Sequence, residues 1–468
     1  MTGAMYAAIA GLRTHMQNLN VIGNNVANVN TNGYKASRAV FKTSLYTTLT
    51  GGSNGTPVMG GTNPSQIGYG SNVATVDVDM STGNYTVTGK ATDLMLDGDG
   101  FFLVGDKELA GNFDGSAEDV GRLTSLTLTR VGDFEFKADG FFGKNDGNVV
   151  YGFLCVGKWG DETHPMYLTG ADGGYVDAAG NATTTPVLRP GVPAGTKQGD
   201  PVFSDQLVPI RFPRVEAVEA YTVTTPGATA ADDDTVATWI LTGQTGTAPN
   251  IQYNWEVRTT NDQGQTTTTQ AQTTTPVPTT PPAAADGRTG SVVKTTSATI
   301  VYPEDGGAAG IIENEELSRG QFTGITVDPV TGLITGTSND TKEVVTIGCV
   351  AVGFVTNPNG VTNQGDNYYK AGPGSGELTI GILGGNAEAM GITHVNGSKK
   401  ANAADASADG LRIRTSDTKM LSNGLEMSKT DLAQEIANMI LTQRGYQANT
   451  RIITVTDSML EELVNMKR

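Results

Sequence analysis

The side chains best suited to chemistry are few in this sequence and lie far apart. The three histidines, His15, His164 and His394, have none of the spacings typical of a metal site. The two cysteines, Cys155 and Cys349, each lie in an apolar run typical of a strand. We interpret both as small buried hydrophobic residues, because two cysteines cannot build a disulfide scaffold. These residue types therefore predict no metal ligands.

Two short motifs resemble loops with a known function, a calcium-binding loop and a nucleophile elbow. The Asp-Gly-Asp-Gly run from Asp97 to Gly100 has the composition of a calcium loop, but aligning Gly100 with the loop's glycine puts Met95 at the first ligand position. We interpret this run as the turn of a hairpin whose second strand begins at Phe101. The Gly-Gly-Ser-Asn-Gly run at 51–55 matches the nucleophile elbow in letters only, because no apolar strand precedes it and no helix follows it. We predict no catalytic residues and no cofactor.

The strongest pattern in the chain is an apolar seam near its N-terminus. Apolar residues recur there at steps of three and four, which is typical of a helix that presents one narrow stripe to another helix. The pattern predicts a helix over 3–28. Its seam residues, which we predict to be a polymerisation interface, are Met5, Ile9, Leu12, Met16, Leu19 and Val26.

A matching seam lies in the last forty residues. Ser428 has the position of a helix N-cap, with Asp431 three residues later as in a capping box. The helix then continues for about 35 residues without proline, a length that rarely packs on one small domain. We expect the two terminal helices to pair, and the C-terminal members of the predicted interface are Leu432, Ile436, Met439, Tyr446, Ile453, Leu460 and Leu463.

Between the helices the apolar period changes from about 3.6 to two, which indicates β-strands. The chain is rich in Gly, with 61 of 468 residues, and only 17% of its residues are charged, which suits short strands and many turns. We predict mainly β domains, nested and discontinuous, with N- and C-terminal α-helices that form a coiled-coil-like inner domain. The predicted units are a helical domain of 1–30 and 425–468, an extended connector at 31–72, a β-domain of 73–150 and 318–424, and an inserted outer β-domain at 151–317.

The formal net charge of −17 is unevenly distributed. Residues 1–76 contain no Asp or Glu, so the negative charge is concentrated in the middle of the chain. An acidic body between nearly neutral ends argues against nucleic acid and against anionic membranes as partners. The start of the chain lacks a basic region followed by an apolar core, so we expect no cleaved signal peptide, and we expect no membrane insertion.

Both ends also carry the motifs of a known family. The segment 19–35 (LNVIGNNVANVNTNGYK) resembles the N-terminal signature of the bacterial flagellar rod–hook axial proteins. The segments 424–432 (GLEMSKTDL) and 443–449 (QRGYQAN) resemble the C-terminal signature of the same family. The positions that we assign to the family motif are Asn24, Asn25, Asn28, Gly33, Tyr34, Lys35, Gln443, Arg444 and Asn449.

This resemblance implies a structural subunit of the flagellar hook, the curved hollow joint between rod and filament. It implies self-assembly into a helical homopolymer, contacts with rod, hook-cap and hook–filament junction proteins, and an extracellular location reached through the flagellar export apparatus. A distal rod protein is the nearest alternative, and we prefer the hook because rod relatives are usually much shorter. An alternative of a different class is a secreted β-rich adhesin, which would stay monomeric and bind a ligand. A secreted enzyme ranks third.

Overall fold

The fold is described from a computed structural model. It describes residues 2–55, 59–107, 126–160, 166–168, 196–204, 207–225, 235–245, 252–260, 266–274, 291–302, 321–376, 378–383, 414–416 and 418–466, and a few single positions between these ranges.

The two ends of the chain form long helices, as their apolar periods predict. Helix α1 covers Thr2–Ala27 and helix α2 covers Leu432–Met466. The predicted cap of α2 is wrong: the side chain of Asp431, not of Ser428, accepts hydrogen bonds from the backbone N–H groups of Ala433 and Gln434 at 3.0 and 3.2 Å. A carboxylate is favoured there because the first N–H groups of a helix have no intrahelical partner and carry partial positive charge.

The rest of the described chain consists mainly of strands. The first half contains β1 (Ser37–Thr43), β2 (Tyr46–Thr50), β3 (Ser65–Gly68), β4 (Ser71–Val78), β5 (Tyr85–Val87), β6 (Leu94–Asp97), β7 (Phe101–Gly105), β8 (Thr127–Thr129), β9 (Glu135–Phe136), β10 (Phe142–Gly143), β11 (Val149–Lys158), β12 (Pro201–Phe203), β13 (Val208–Pro209) and β14 (Arg214–Thr225). The second half contains β15 (Thr235–Thr245), β16 (Gln252–Thr260), β17 (Thr266–Thr273), β18 (Ser291–Val301), β19 (Phe322–Val327), β20 (Leu333–Ser338), β21 (Val344–Val350), β22 (Val352–Val355), β23 (Thr362–Gly365), β24 (Tyr368–Lys370), β25 (Leu378–Leu383), β26 (Arg414–Ser416), β27 (Lys419–Ser422) and β28 (Gly424–Glu426).

A long antiparallel ribbon follows α1. Its proximal part pairs β1 with β4, and its distal part pairs β2 with β3. The proximal part packs on α1, where the Thr14 hydroxyl donates to the carbonyl oxygen of Ser71 at 3.0 Å. The segment 31–72, predicted as an extended connector, therefore contains the paired strands of this ribbon, and the ribbon continues to Val78. Sequence reasoning missed it because Gly, Ser, Thr and Asn interrupt the alternation of apolar residues in this segment.

The main core lies around a large mixed sheet. Its central strands run in the order β19-β20-β21-β11-β7-β22-β25-β26, and shorter strands pair along its sides. Two clusters of buried apolar side chains surround it, one centred on Phe101 and Tyr151 and the other on Phe102 and Val352. Because the members come from residues 94–104, 126–155, 203–212, 322–383 and Met420, the core forms only when distant parts of the chain meet.

The predicted start of the outer domain at residue 151 is wrong. Strand β11 crosses that boundary and lies in the middle of the sheet, where it pairs with β7, β10, β12, β13 and β21. Residues 201–209 of the predicted insertion return to the same sheet through β12 and β13. A strand buried on both faces shows no alternation of polar and apolar residues, so the period-two pattern used to place the domain border does not follow β11 past residue 150.

The separate part of the predicted insertion is a five-stranded antiparallel sheet in the order β17-β16-β15-β14-β18. Its outermost pair joins the first and last strands, with Arg214 opposite Val301. The chain therefore leaves the main sheet and returns to it at neighbouring positions. The Arg258 side chain links the two sheets through Glu343 of the main one, with an N···O distance of 3.4 Å.

The hairpin predicted around Asp97–Gly100 is also wrong. Strand β6 pairs with β27 and β7 pairs with β8, β11 and β22, so the two strands flanking the turn belong to different sheets. Gly98 and Gly100 have φ angles of 127° and 118°, which redirect the chain between the sheets. Turn chemistry predicts that a chain reverses, but it does not predict which strands then pair.

The predicted fold class is confirmed. The described chain is mainly β with helices from the two ends that pack together. Neither described helix has the length and hydropathy of a membrane-spanning segment.

Candidate assembly interface

The two terminal helices run antiparallel and meet through small and polar residues. The Asn18 side chain donates to the Thr442 hydroxyl at 2.9 Å. Gly11 lies against Asn449, and Gly445 lies against the His15 ring. Glycines at these two positions let the helix backbones approach closely, because a Cβ atom at either one would lie within 2.7 Å of the opposite side chain.

The apolar seams predicted from the sequence are not closed within one chain. None of their thirteen members is fully buried: Met5, Ile9, Leu12, Leu19, Val26, Met439 and Ile453 are half-buried, and Met16, Leu432, Ile436, Tyr446, Leu460 and Leu463 are exposed. Pairing of the helices within one chain therefore leaves the seams partly open, and their role as a polymerisation interface stays a prediction. Exposed apolar stripes of this extent are a mark of protein–protein contact.

At the other end of α1, the Asn25 side chain connects three segments. Its Oδ1 accepts from the Tyr34 hydroxyl at 3.0 Å and from the Ser37 backbone N–H at 2.9 Å. Its Nδ2 donates to the Ser37 carbonyl oxygen at 2.8 Å and to Glu435 Oε1 of α2 at 3.2 Å. Asn25 is fully buried, so these four bonds satisfy its amide and fix the direction in which the chain leaves α1.

Tyr34 and its neighbours extend this junction. The Asn24 side chain donates to the Tyr34 hydroxyl oxygen at 3.1 Å, and the backbone N–H of Lys429 donates to the Tyr34 carbonyl oxygen at 3.1 Å. Burial raises the pKa of Tyr34, and the nearby Glu435 carboxylate raises it further. The hydroxyl therefore stays protonated and can donate to Asn25.

A buried ion pair lies next to the junction. Lys35 Nζ is 2.6 Å from Glu426 Oε1, and both side chains are almost completely excluded from solvent. Lys35 also donates to the Ser81 carbonyl oxygen at 2.7 Å, and the Gly83 N–H donates to the same Glu426 oxygen at 2.6 Å. Burial lowers the pKa of Lys35, and the Arg130 guanidinium lowers it further, whereas Glu426 opposes the shift. The pair ties the exit of α1 to the segment that enters α2.

Gly33 makes the close approach that this arrangement needs. Its N–H donates to the Glu426 carbonyl oxygen at 2.7 Å, and its φ angle of 67° is one that residues with a Cβ atom rarely adopt. A Cβ atom there would also lie 2.7 Å from the Val131 side chain. The buried Arg130 next to it donates to the Gly98 carbonyl oxygen at 2.8 Å.

The family-motif positions thus fall into two groups. Asn24, Asn25, Gly33, Tyr34 and Lys35 converge on the junction, and Asn28 caps the last turn of α1 by donating to the Asn24 carbonyl oxygen at 2.9 Å. The C-terminal positions lie elsewhere. Gln443 and Arg444 are exposed on α2, and Asn449 contacts Gly11.

Sequence reasoning missed three members of the junction: Ser37, Glu426 and Glu435. Glu426 lies within the C-terminal motif segment and is its only acidic residue before Asp431. This single carboxylate could have been identified from the sequence as a partner for Lys35. Nothing in the local pattern marks Ser37, because its backbone groups make the contact. Among the described residues, no three His, Cys, Asp or Glu side chains are grouped as a metal site would require.

Comparisons with known proteins agree with this arrangement at both ends. Residues 5–35 match a model described as flagella basal body rod protein, and residues 421–466 match one described as flagellar basal body rod FlgEFG protein C-terminal. The two matched segments contain the junction residues from Asn24 to Lys35, together with Glu426 and α2.

Longer relatives extend the similarity to the whole chain. The flagellar hook protein FlgE of Borreliella burgdorferi is 26% identical over 100% of both chains. FlgE of Salmonella typhimurium is 24% identical over 98% of this chain and 99% of its own. The flagellar basal-body rod protein FlgG of Bacillus subtilis is 39% identical, but over 32% of this chain and 51% of its own. Both terminal segments are therefore similar to those of the flagellar rod–hook axial proteins, and hook-protein relatives are similar to this chain along its full length.

Proposed function

We propose that this chain is the structural subunit of the bacterial flagellar hook, which assembles with copies of itself into a hollow curved joint that transmits torque from rod to filament. The observation that carries the proposal is the extent of similarity. The hook-protein relatives align over essentially their entire length, including the mid-chain sheets. These relatives are structural proteins, so we assign no catalytic role.

The helix pair offers the surface for such assembly. Its small and polar contacts hold α1 and α2 together within one chain, while apolar side chains on both helices face outward. Burying them against another copy would be favourable by roughly 25 cal/mol per Å² of apolar area. Because the outward stripes lie on different helices, a copy can contact one neighbour with each. Such heterologous contacts build an open helical polymer when the rotation between successive copies does not close into a ring.

A distal rod subunit is the second candidate. The 39% sequence identity to the Bacillus subtilis rod protein favours this candidate over the part of the chain that it covers. That similarity covers about a third of this chain, whereas the hook relatives cover all of it, so the hook is the better proposal.

Partners and location follow from the same proposal. The main partner is the chain itself, and the ends of the polymer would contact rod, hook-cap and hook–filament junction proteins. The subunit would be located in the hook, outside the cell, after passage through the flagellar export apparatus. Nucleic acid and membrane lipid have no part in the proposal.

Assembly of purified protein tests it. The full chain in salt that promotes polymerisation should form tubes in electron micrographs, and a protein that stays monomeric at all concentrations would contradict the proposal. Leu12→Ala and Ile436→Ala should raise the critical concentration for assembly, because each removes an apolar side chain that assembly would bury. Ile240→Ala is the control: it removes a buried side chain of the five-stranded sheet and should lower the melting temperature of the monomer by more than either seam variant does.

A further inference from the structure

The segment between α1 and β1 connects the helix pair with the main sheet. Helix α1 packs on α2 and on the ribbon strands β1 and β4, whereas neither helix makes an extensive contact with a described strand of the main sheet. The direction of the helix pair relative to the sheet therefore depends on the short segments between them. We call residues 31–34 the exit turn, because the Tyr34 N–H donates to the Thr31 carbonyl oxygen at 3.3 Å as the chain leaves α1.

A buried contact fixes the position of the exit turn. Gly33 lies so close to Val131, next to β8, that a Cβ atom on it would be 2.7 Å from the Val131 side chain. The Gly33 N–H donates to the Glu426 carbonyl oxygen at 2.7 Å. Two bodies that touch at a single place can still rotate about it, so this contact alone does not fix an angle.

A hairpin of the main sheet makes a second contact with the exit turn. Strands β23 and β24 are joined by Asp366 and Asn367, whose φ angles of 51° and 61° are those of a tight two-residue turn. The Asn367 side chain donates from Nδ2 to the Asn32 carbonyl oxygen at 3.0 Å. The Thr129 hydroxyl of β8 donates to the Asn367 carbonyl oxygen at 3.1 Å, so the backbone that carries this donor is held by the main sheet.

This second contact differs from the first in its exposure to solvent. Asn32 is exposed and Asn367 is half-buried, whereas Gly33 is buried. A hydrogen bond that is open to water adds little net free energy, so the bond contributes little to overall stability. Glycine would adopt the φ angle of position 367 equally well. What asparagine adds at this position is the bond to Asn32.

We propose that Asn367 is a positioning residue whose bond to Asn32 is a latch that fixes the angle between the helix pair and the main sheet. The proposal rests on the proposed function for its purpose, because the subunits of a regular tube must present their helices at matching angles. With contacts at both Gly33 and Asn32, rotation of the exit turn about either one is blocked. Because the latch is exposed and weak, it can open and close while the buried contacts stay intact.

Three variants of the β23–β24 turn separate the latch from the stability of the fold. Asn367→Gly removes the donor but keeps a residue suited to the φ angle, and Asp366→Gly is the matched control, because it changes the same turn and leaves the Asn367 amide in place. Asn367→Asp keeps the size of the side chain, but a carboxylate can only accept and repels the Asn32 carbonyl oxygen. All three proteins should melt close to the temperature of the parent protein, because the turn is retained and the lost bond is exposed.

Spin labels on α1 and on the main sheet measure the angle in the monomer. Arg13→Cys on α1 and Val344→Cys on β21 introduce the labelling sites at exposed positions. The native cysteines, Cys155 and Cys349, are buried and should stay unlabelled in the folded protein. Double electron–electron resonance then gives the distribution of distances between the two labels.

This distribution should broaden for Asn367→Gly and Asn367→Asp and stay unchanged for Asp366→Gly. Under polymerising salt, the two Asn367 variants without labels should raise the critical concentration for assembly about two- to tenfold, the factor that corresponds to a net hydrogen bond of roughly 0.5–1.5 kcal/mol. Equal distance distributions in all the proteins, or broadening by Asp366→Gly as well, would overturn the latch while leaving the hook proposal intact. A wild-type chain that never polymerises would overturn the hook proposal, and the distances in the monomer would still decide whether the latch exists.

Discussion

At the scale of single residues, Asn25 and the Lys35–Glu426 pair hold the two ends of the chain together. Asn25 bonds to Glu435, which is 410 positions away, and Lys35 bonds to Glu426, which is 391 positions away. Asn25, Lys35 and Glu426 are buried, so water cannot readily take the place of a partner that is removed. The junction should therefore respond strongly to conservative changes.

Replacing the Glu426 carboxylate by an amide tests the ion pair. Glu426→Gln keeps the shape but leaves the Lys35 ammonium buried without its counter-charge, which should lower the free energy of unfolding by about 3–5 kcal/mol. The control is Asp139→Asn, which removes the partner of Lys107 at a half-exposed site and should cost less than about 1 kcal/mol. Urea unfolding followed by circular dichroism measures both, and similar losses would show that burial of the pair has little effect.

Tyr369 gives the main sheet a dependence on alkaline pH. Burial raises the pKa of Tyr369 to about 12, and the neighbouring Tyr34 contributes to the rise. The unfolded chain loses this proton near pH 10, so above that pH the folded state binds more protons and its stability falls as the pH rises towards 12. We expect Tyr369→Phe to reduce this loss. Unfolding free energies measured between pH 9 and 11 for both proteins give the slopes, and equal slopes would contradict the assignment.

The sequence identified part of the junction and missed the rest for a physical reason. The motif positions Asn24, Asn25 and Lys35 were found because they belong to a recognisable segment. Their partners were not, because Ser37 contributes backbone groups and Glu435 lies on a distant helix. A local pattern contains no information about which distant group satisfies a buried amide.

At the scale of elements, both terminal helices and their pairing were predicted, but the faces through which they touch were not. Steps of three and four between apolar residues indicate a stripe, and the stripes exist, but they remain partly open in the single chain. The helices instead meet where Gly11 and Gly445 remove side-chain volume. Hydrophobic period therefore predicted the helices, whereas small residues determine which faces of them touch.

Two glycines of α1 provide a matched test of that contact. Gly11→Ala adds a Cβ atom 2.6 Å from the Asn449 amide, so Asn449 must move and the helix pair should loosen. Gly23→Ala makes the same change where nothing lies within 4 Å, and it should stabilise α1 by roughly 1 kcal/mol through helix propensity. Helix content and melting of the monomer, read by circular dichroism, should move in opposite directions for the two variants. A stabilised Gly11→Ala protein would mean that the close contact imposes no constraint.

At the scale of the whole molecule, the chain goes outward from α1 through the ribbon and the main sheet to the five-stranded sheet, and then returns to α2. The sequence predicted this nested order because the β-pattern resumes after residue 318. It misplaced the border of the outer unit because β11 is apolar throughout and continues past residue 150. Composition changes gradually along a chain, whereas pairing in a sheet begins and ends at particular residues.

Two deletions distinguish the predicted border from the observed one. Val215 and Ile300 are opposite each other in neighbouring strands, so residues 216–299 can be replaced by an Asn-Gly turn without moving either strand. This shortened protein should keep the main sheet, because β7, β11, β21 and their neighbours remain. Deleting 151–317 instead removes most of β11 and all of β12 and β13. This should abolish cooperative unfolding, since the main sheet loses a central strand.

Cooperative thermal unfolding and electron microscopy under polymerising salt report the outcome of both deletions. The protein lacking 216–299 should melt as one unit and still form tubes, because its helix pair and the ribbon that follows α1 are intact. If it fails to fold, the five-stranded sheet is part of the core and not an outer unit. If it folds but no longer assembles although the complete chain does, the contacts that build the polymer include the outer sheet, and the helix pair is not sufficient for assembly.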